Sequence, residues 1–241
     1  MGLKRNCARL FDNQGKVFLI ALDHPQYMGC VQGLENTLDV IKNFKNLPID
    51  GFVLSIGIAQ HLDLDIIGTK KLVLRIDVGG SKFSQNQLGH LTFLPWTAAI
   101  SLGADAVIAM LPLGENDEKL IGTVALAVCR FHSVSVPVIL EVLPNPRLGH
   151  PIIDQIITGA RLAVELGADA VKVPYTEAFD KVVSCCPVPI LMAGGQRDAN
   201  ILDIVCKALN AGAKGLVFGR NVFQAEDPVK VIFELEASLR P

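Results

Sequence analysis

One phrase recurs along this chain of 241 residues: Leu102-Gly103-Ala104-Asp105-Ala106-Val107, then Leu166-Gly167-Ala168-Asp169-Ala170-Val171, then, more loosely, Ala211-Gly212-Ala213-Lys214-Gly215-Leu216. Each copy ends a helical apolar pattern and opens a short apolar run. The glycine supplies the left-handed turn that stops a helix, and the run after it has the length of a buried strand. The first two copies lie 64 residues apart, or two units of 32, which is about the size of a βα repeat. Reading outward predicts strands at 17–22, 52–56, 72–77, 106–111, 138–143, 170–173, 190–193 and 216–218. Helical patterns such as 152–166, 199–211 and 228–239 lie between them. Strands rich in Val, Ile and Leu, separated by helices and lacking hairpin turns, indicate a parallel sheet covered by helices. Eight such units use the whole length, so the expectation is an α/β fold, a single (β/α)8 barrel domain over residues 1–241. An open doubly wound sheet is the alternative, but no Gly-x-Gly-x-x-Gly follows the first strand.

Composition narrows the function classes. Half the residues are hydrophobic and mean hydropathy is +0.40, which excludes a disordered chain. Net charge is −2, so no nucleic-acid or anionic-membrane partner is expected. No apolar run approaches the roughly 20 residues that span a bilayer. The six cysteines are scattered with no Cys-x-x-Cys pair and read as reduced thiols rather than disulfides or a zinc site. With no signal-peptide core after Met1, a cytoplasmic protein is expected. His61, His90, His132 and His150 lack ligand spacing, so no metal is expected.

Barrel strands are apolar on both faces, which makes ionisable residues in them informative. Asp23 ends the first strand, Arg75 and Asp77 belong to the third, Glu141 to the fifth and Lys172 to the sixth. Alternation puts Ala170, Lys172 and Pro174 on one face and the β-branched Val171 and Val173 on the other, so Lys172 should point into the barrel mouth. An isolated buried charge is costly unless paired or neutralised. Lys172 is therefore either an ion-pair partner of Glu141 or a nucleophilic amine that attacks a carbonyl in its neutral form. Asp23 either hydrogen-bonds substrate hydroxyls or orients Lys172, or else caps a helix or solvates a loop, and Asp77 reads as a loop residue. Tyr175 is expected to pack beneath its loop.

Two glycine-bearing loops follow the seventh and eighth strands, Ala193-Gly194-Gly195-Gln196 and Phe218-Gly219-Arg220-Asn221. Their backbone N–H groups can approach an anion, and these are the positions where barrels commonly hold phosphate. Arg220 adds a bidentate cation. His24 either contacts the phosphate or stabilises the turn before Pro25.

These residues carry a family resemblance. Gly167–Thr176 resembles the Schiff-base lysine segment of archaeal-type class I fructose-bisphosphate aldolases, in the group that includes deoxyribose-phosphate and tagatose-bisphosphate aldolases. The segments 188–195 and 215–224 are similar to that group's phosphate loops, and Ala21-Leu22-Asp23-His24 to its opening signature. The resemblance implies a metal-free class I aldolase of a sugar phosphate, assembled as a homo-oligomer, with no cofactor beyond a covalent Schiff base at Lys172. Lys172 would attack the C2 carbonyl of a ketose phosphate, and the resulting iminium would accept the C3–C4 electron pair as an enamine.

The chain departs from the family in two places. The group's archaeal members carry a catalytic tyrosine before Pro-Arg at the end of the fifth strand, and Leu143 stands there. Glu141 resembles the fifth-strand glutamate of tagatose-bisphosphate aldolases and is the expected acid/base, with Asp23 beside it. Arg75 stands where a lysine is expected, and either balances Glu141 and Asp23 or contacts a second phosphate. The missing tyrosine keeps a Schiff-base thiolase or transaldol-type synthase as an alternative activity. A non-catalytic sugar-phosphate binding protein is a further alternative, but it would have no use for Lys172 and Glu141 on adjacent strands.

Overall fold

The computed structural model describes residues 2–84, 88, 91–114 and 117–241. Its strands are β1 (Val17–Ala21), β2 (Gly51–Ser55), β3 (Lys71–Arg75), β4 (Asp77–Val78), β5 (Thr92–Phe93), β6 (Ala106–Pro112), β7 (Val138–Leu143), β8 (Ala170–Pro174), β9 (Ile190–Ala193) and β10 (Gly215–Phe218). Eight of them close a parallel ring in the order β1-β10-β9-β8-β7-β6-β3-β2. Helices flank the ring, among them Glu118–Ser133, Ile152–Glu165, Ile201–Asn210 and Pro228–Leu239. The fold is a (β/α)8 barrel.

Strand alternation divides the core in two. Val17, Leu19, Val73, Ile139 and Ala170 pack inside the ring with Leu10 of the first helix, while Phe18, Leu74, Leu140, Val171 and Val173 pack outward against the helices. The recurring phrase has a mechanical role. Gly103, Gly167 and Gly212 have φ of +66°, +96° and +107°, the left-handed turn that ends each helix. The aspartate in the first two copies, two residues after the glycine, turns its carboxylate onto an amide at the start of the preceding barrel strand. Asp105 accepts from Leu72 N at 2.8 Å and Asp169 from Val138 N at 2.8 Å. Asp50 does the same for Phe18 N at 2.7 Å without the phrase around it. A strand's first amides lack a regular partner, and these carboxylates satisfy them.

One expectation is corrected. The third strand ends at Arg75 rather than 77, and hairpin-like pairing is present after all: β4 and β5 form a two-stranded antiparallel ribbon. Ile76 is the point of departure. Its N–H donates to Ile108 O in the barrel, while its carbonyl accepts from Leu94 N in the returning arm of the ribbon. This ribbon places Asp77 against the barrel mouth.

Candidate active site

The interior rows of the barrel end in charge. Directly above Ala21, Val73, Ile139 and Ala170 of the inner core stand Asp23, Arg75, Glu141 and Lys172, each one interior position further on. Glu141 and Lys172 are register partners on β7 and β8. Lys172 Nζ lies 2.5 Å from Glu141 Oε1, so the expected ion pair is present. Arg75, 2% exposed, is the hub of the cluster. Its Nε donates to Asp23 Oδ2 at 2.7 Å, its Nη1 to Asp77 Oδ1 at 3.3 Å and its Nη2 to Glu141 Oε2. Arg75 thus balances Asp23 and Glu141, one of its two expected roles.

The electrostatics follow from this geometry. Burial pushes the Glu141 carboxyl up, but the Lys172 ammonium and the Arg75 guanidinium outweigh it and bring it down to about 2. Burial likewise opposes ionisation of Asp23, and Arg75, then His24 and Lys172, hold it below the ordinary carboxylate range. Both groups are carboxylates at neutral pH. Burial holds the His24 imidazole below its ordinary range; Asp23 opposes this, and Lys172 and Arg220 add to it.

A cavity of about 210 Å³ opens above this layer, lined by Asp23, His24, Tyr27, Met28, Arg75, Leu88, Met110, Glu141 and Lys172. Four of these, Tyr27, Met28, Leu88 and Met110, carry no signal in the sequence that sets them apart from packing residues. Asp77, expected in a loop, is fully buried behind the cavity wall. It accepts from Tyr27 Oη at 2.5 Å, Arg75 Nη1 at 3.3 Å and Met110 N at 3.0 Å. Its spacing of two from Arg75 is the signal that would have found it, because alternation puts both on one face.

The glycine loops stand beside this cavity. Gly194 and Gly195 line a second one of about 340 Å³ with Pro174, Tyr175, Arg197 and Asp198. Tyr175 stacks on Phe179 with ring centroids 5.9 Å apart, in keeping with a packing role. Asn221, which carried no assigned role, ties the two loops together. Its Oδ1 accepts from Asp198 N at 2.9 Å, and its Nδ2 donates to Gly194 O at 2.7 Å and Gln196 O at 2.9 Å. Gly219 admits His24, since a Cβ there would lie 2.4 Å from His24 Cε1 and 3.0 Å from Ala21 O. The His24 ring also meets Phe223 edge-on at 5.2 Å. His24 Nδ1 and Arg220 Nε are buried without a hydrogen-bond partner among the described residues.

Among the described residues no three His, Cys, Asp or Glu side chains converge as metal ligands. His90 lies outside those residues. All six cysteines are free thiols. Among the described residues no helix is long and apolar enough to cross a membrane.

Residues 17–225 match the model of the DeoC/LacD family aldolases. The chain belongs to this family. It is 32% identical to an uncharacterized aldolase of Saccharolobus solfataricus, over 96% of this chain and 92% of that one. It is 29% identical to the 2-amino-4,5-dihydroxy-6-oxo-7-(phosphonooxy)heptanoate synthase of Streptomyces griseus, over 88% and 81%. Among solved structures it is similar to an archaeal fructose-1,6-bisphosphate aldolase whose catalytic lysine is covalently bound to the carbinolamine intermediate. The TM-score is 0.87 at 27% identity, with 98% and 99% of the two chains covered. A Schiff-base-forming fructose-1,6-bisphosphate aldolase matches with the same TM-score at 28% identity. This DeoC/LacD family chain is a class I aldolase, a carbon–carbon lyase.

Proposed function

We propose that this aldolase acts on a phosphorylated ketose, with Lys172 as the Schiff-base lysine and Glu141 as the acid/base beside it. The observation that carries the reading is the pairing of Lys172 Nζ with Glu141 Oε1 at 2.5 Å, on adjacent strands, where both line a cavity at the C-terminal ends of the barrel strands. The Glu141 carboxylate takes the proton that Lys172 sheds, and the neutral amine attacks the C2 carbonyl. Loss of water leaves an iminium, which accepts the C3–C4 electron pair as an enamine. Asp23 holds Arg75, and Arg75 holds the second oxygen of Glu141, so the carboxylate stays oriented without its own backbone contacts.

The backbone at Gly194, Gly195 and Gly219, with Arg220, receives the substrate phosphate. The Arg220 Nε, buried without a hydrogen-bond partner, and the His24 ring edge against Gly219 support an anion there, while His24 Nδ1 faces Asp23 Oδ1 at 3.6 Å. No cofactor beyond the covalent intermediate is required. The whole of 1–241 serves as one barrel domain, in a cytoplasmic homo-oligomer in which the free thiols stay reduced.

The leading substrate class is a ketose bisphosphate of the fructose type. A synthase reaction, in which the enamine is passed to another aldehyde, is favoured by a separate observation. Leu143 replaces the tyrosine expected from the resemblance, and two synthases, from Streptomyces griseus and Archaeoglobus fulgidus, are 29% and 27% identical. Incubation with dihydroxyacetone phosphate and borohydride tests the common step. A reduced adduct should map to the peptide 170–175, and labelling at Lys82 or Lys214 instead would refute the assignment.

A further inference from the structure

The proposed chemistry needs a proton acceptor for the hydroxyl on C4, and Glu141 is already engaged on both oxygens, by Lys172 and by Arg75. The chain has two tyrosines. Tyr175 lines the other cavity, stacked on Phe179. Leu143 is absent from the wall of the cavity that holds Lys172, whereas Tyr27 forms part of it. Tyr27 arrives from the opposite side of the site, on the short helix Pro25–Met28 that follows β1. Its backbone is fixed by Tyr27 N donating to His24 O at 3.1 Å and Lys82 N donating to Tyr27 O at 2.9 Å. Its phenol donates to Asp77, 2.5 Å from Oδ2 and 2.8 Å from the carbonyl oxygen.

Asp77 is fully buried and does not reach the cavity. Tyr27 stands between that carboxylate and the space where substrate binds. The contacts continue from Asp77 through Arg75 and Glu141 to Lys172, so the phenol and the lysine are the two ends of one hydrogen-bonded chain.

We propose that Tyr27 and Asp77 form a proton relay for carbon–carbon cleavage, with Tyr27 as a catalytic residue in place of the tyrosine missing at position 143. The inference rests on the Schiff-base reading above. With the iminium formed on Lys172, the C4 hydroxyl gives its proton to Tyr27 Oη while the phenolic proton passes to Asp77 Oδ2. The C3–C4 bond breaks, its electron pair becomes the enamine, and C4 leaves as an aldehyde. The proton then returns from Asp77 through Tyr27 to C3 of the enamine, which restores both side chains. Arg75 and the Met110 N–H on Oδ1 keep Asp77 oriented throughout, which makes them positioning groups.

The test mixes the full chain with fructose 1,6-bisphosphate, quenches with borohydride at successive times and reads intact mass. The parent protein should show a six-carbon adduct followed by a three-carbon adduct. In Tyr27→Phe the six-carbon adduct should form within about threefold of the parent rate, while its conversion slows roughly 10²–10³-fold. Conversion at the parent rate would overturn the relay, and so would an equal slowing of both steps, because that is the mark of a structural role. Replacing Tyr27 with 3,5-difluorotyrosine keeps the ring and hydroxyl but makes the phenol more acidic. Conversion should then change by more than about threefold with adduct formation preserved, and an unchanged rate again removes the relay. If the parent forms neither adduct, the Schiff-base reading on this substrate fails first and the relay goes with it.

Discussion

Two arginines gather three carboxylates each, at opposite ends of the same barrel. At the N-terminal end Arg240 contacts Asp12 at 2.5 Å, Asp50 at 2.6 Å and Glu236 at 2.7 Å. At the C-terminal end Arg75 contacts Asp23, Asp77 and Glu141. What faces each hub differs. Below, Asp12 also accepts the N–H groups of Gln14 and Lys16, and Asp50 that of Phe18, so those carboxylates complete the backbone hydrogen bonding where the chain enters β1. Above, Asp23 and Glu141 accept no backbone amide among the described residues, and Glu141 instead holds the ammonium of Lys172 at the wall of a cavity. An arginine among carboxylates is therefore not by itself a sign of chemistry. Pairing with a buried lysine and access to a cavity make the difference.

Four variants break or sharpen that contrast. Lys172→Met should cost roughly 10⁴-fold or more in turnover and abolish borohydride trapping, with the fold retained because Glu141 keeps its contact with Arg75. A folded variant that still turns over would make the upper hub as structural as the lower one. Glu141→Gln keeps the shape and removes the carboxylate, so turnover should fall roughly 10²–10⁴-fold.

The same variant has a pH signature. The folded Glu141 sits at about 2 against an ordinary 4.5, so the unfolded chain binds the extra proton and stability is lost as pH falls through that window. Glu141→Gln should flatten the dependence, as read from urea unfolding between pH 5 and pH 2.5, and an unchanged slope would mean that the ion pair contributes nothing to folding.

Smaller effects are expected away from the hub. Arg220→Ala should raise KM for a phosphorylated ketose by an amount worth about 1.5–3 kcal/mol, the scale of a charge-assisted hydrogen bond. Retained affinity would move the anion elsewhere. Arg240→Ala should lower stability by about 1–2 kcal/mol and leave kcat intact, because Asp12 and Asp50, two of the carboxylates it releases, keep their backbone partners. A large loss of kcat there would erase the distinction between the two ends.

The features legible in the sequence are those with a period. The interior position of Lys172 and Glu141 follows from alternation along β8 and β7, and the strand ends follow from the Gly-Ala-Asp phrase. Asp77 is not legible, because the run 72–77 reads as one barrel strand with Asp77 as a loop residue at its end, whereas Ile76 turns the chain into a ribbon that folds Asp77 inward. Tyr27 and Asn221 are not legible for another reason. Each is distinguished by its contacts in the folded chain, and neither sits in a pattern that sets it apart from a packing residue.

The amino-acid order alone determined the barrel, the buried lysine at its mouth and the face on which that lysine stands. Helix ends, strand alternation and βα spacing are local consequences of backbone geometry, and each can be read within a window of a few tens of residues. Only the tertiary structure decided which charges meet. Arg75 reaches Glu141 across 66 residues and Tyr27 reaches Asp77 across 50, and no local period records either distance. Those contacts exist because the strands close into a ring and because the β4–β5 ribbon folds back over its mouth. The cavity, the depressed Glu141 carboxyl and the Tyr27–Asp77 pair are all products of that closure, which brings side chains together in a medium where water no longer separates them.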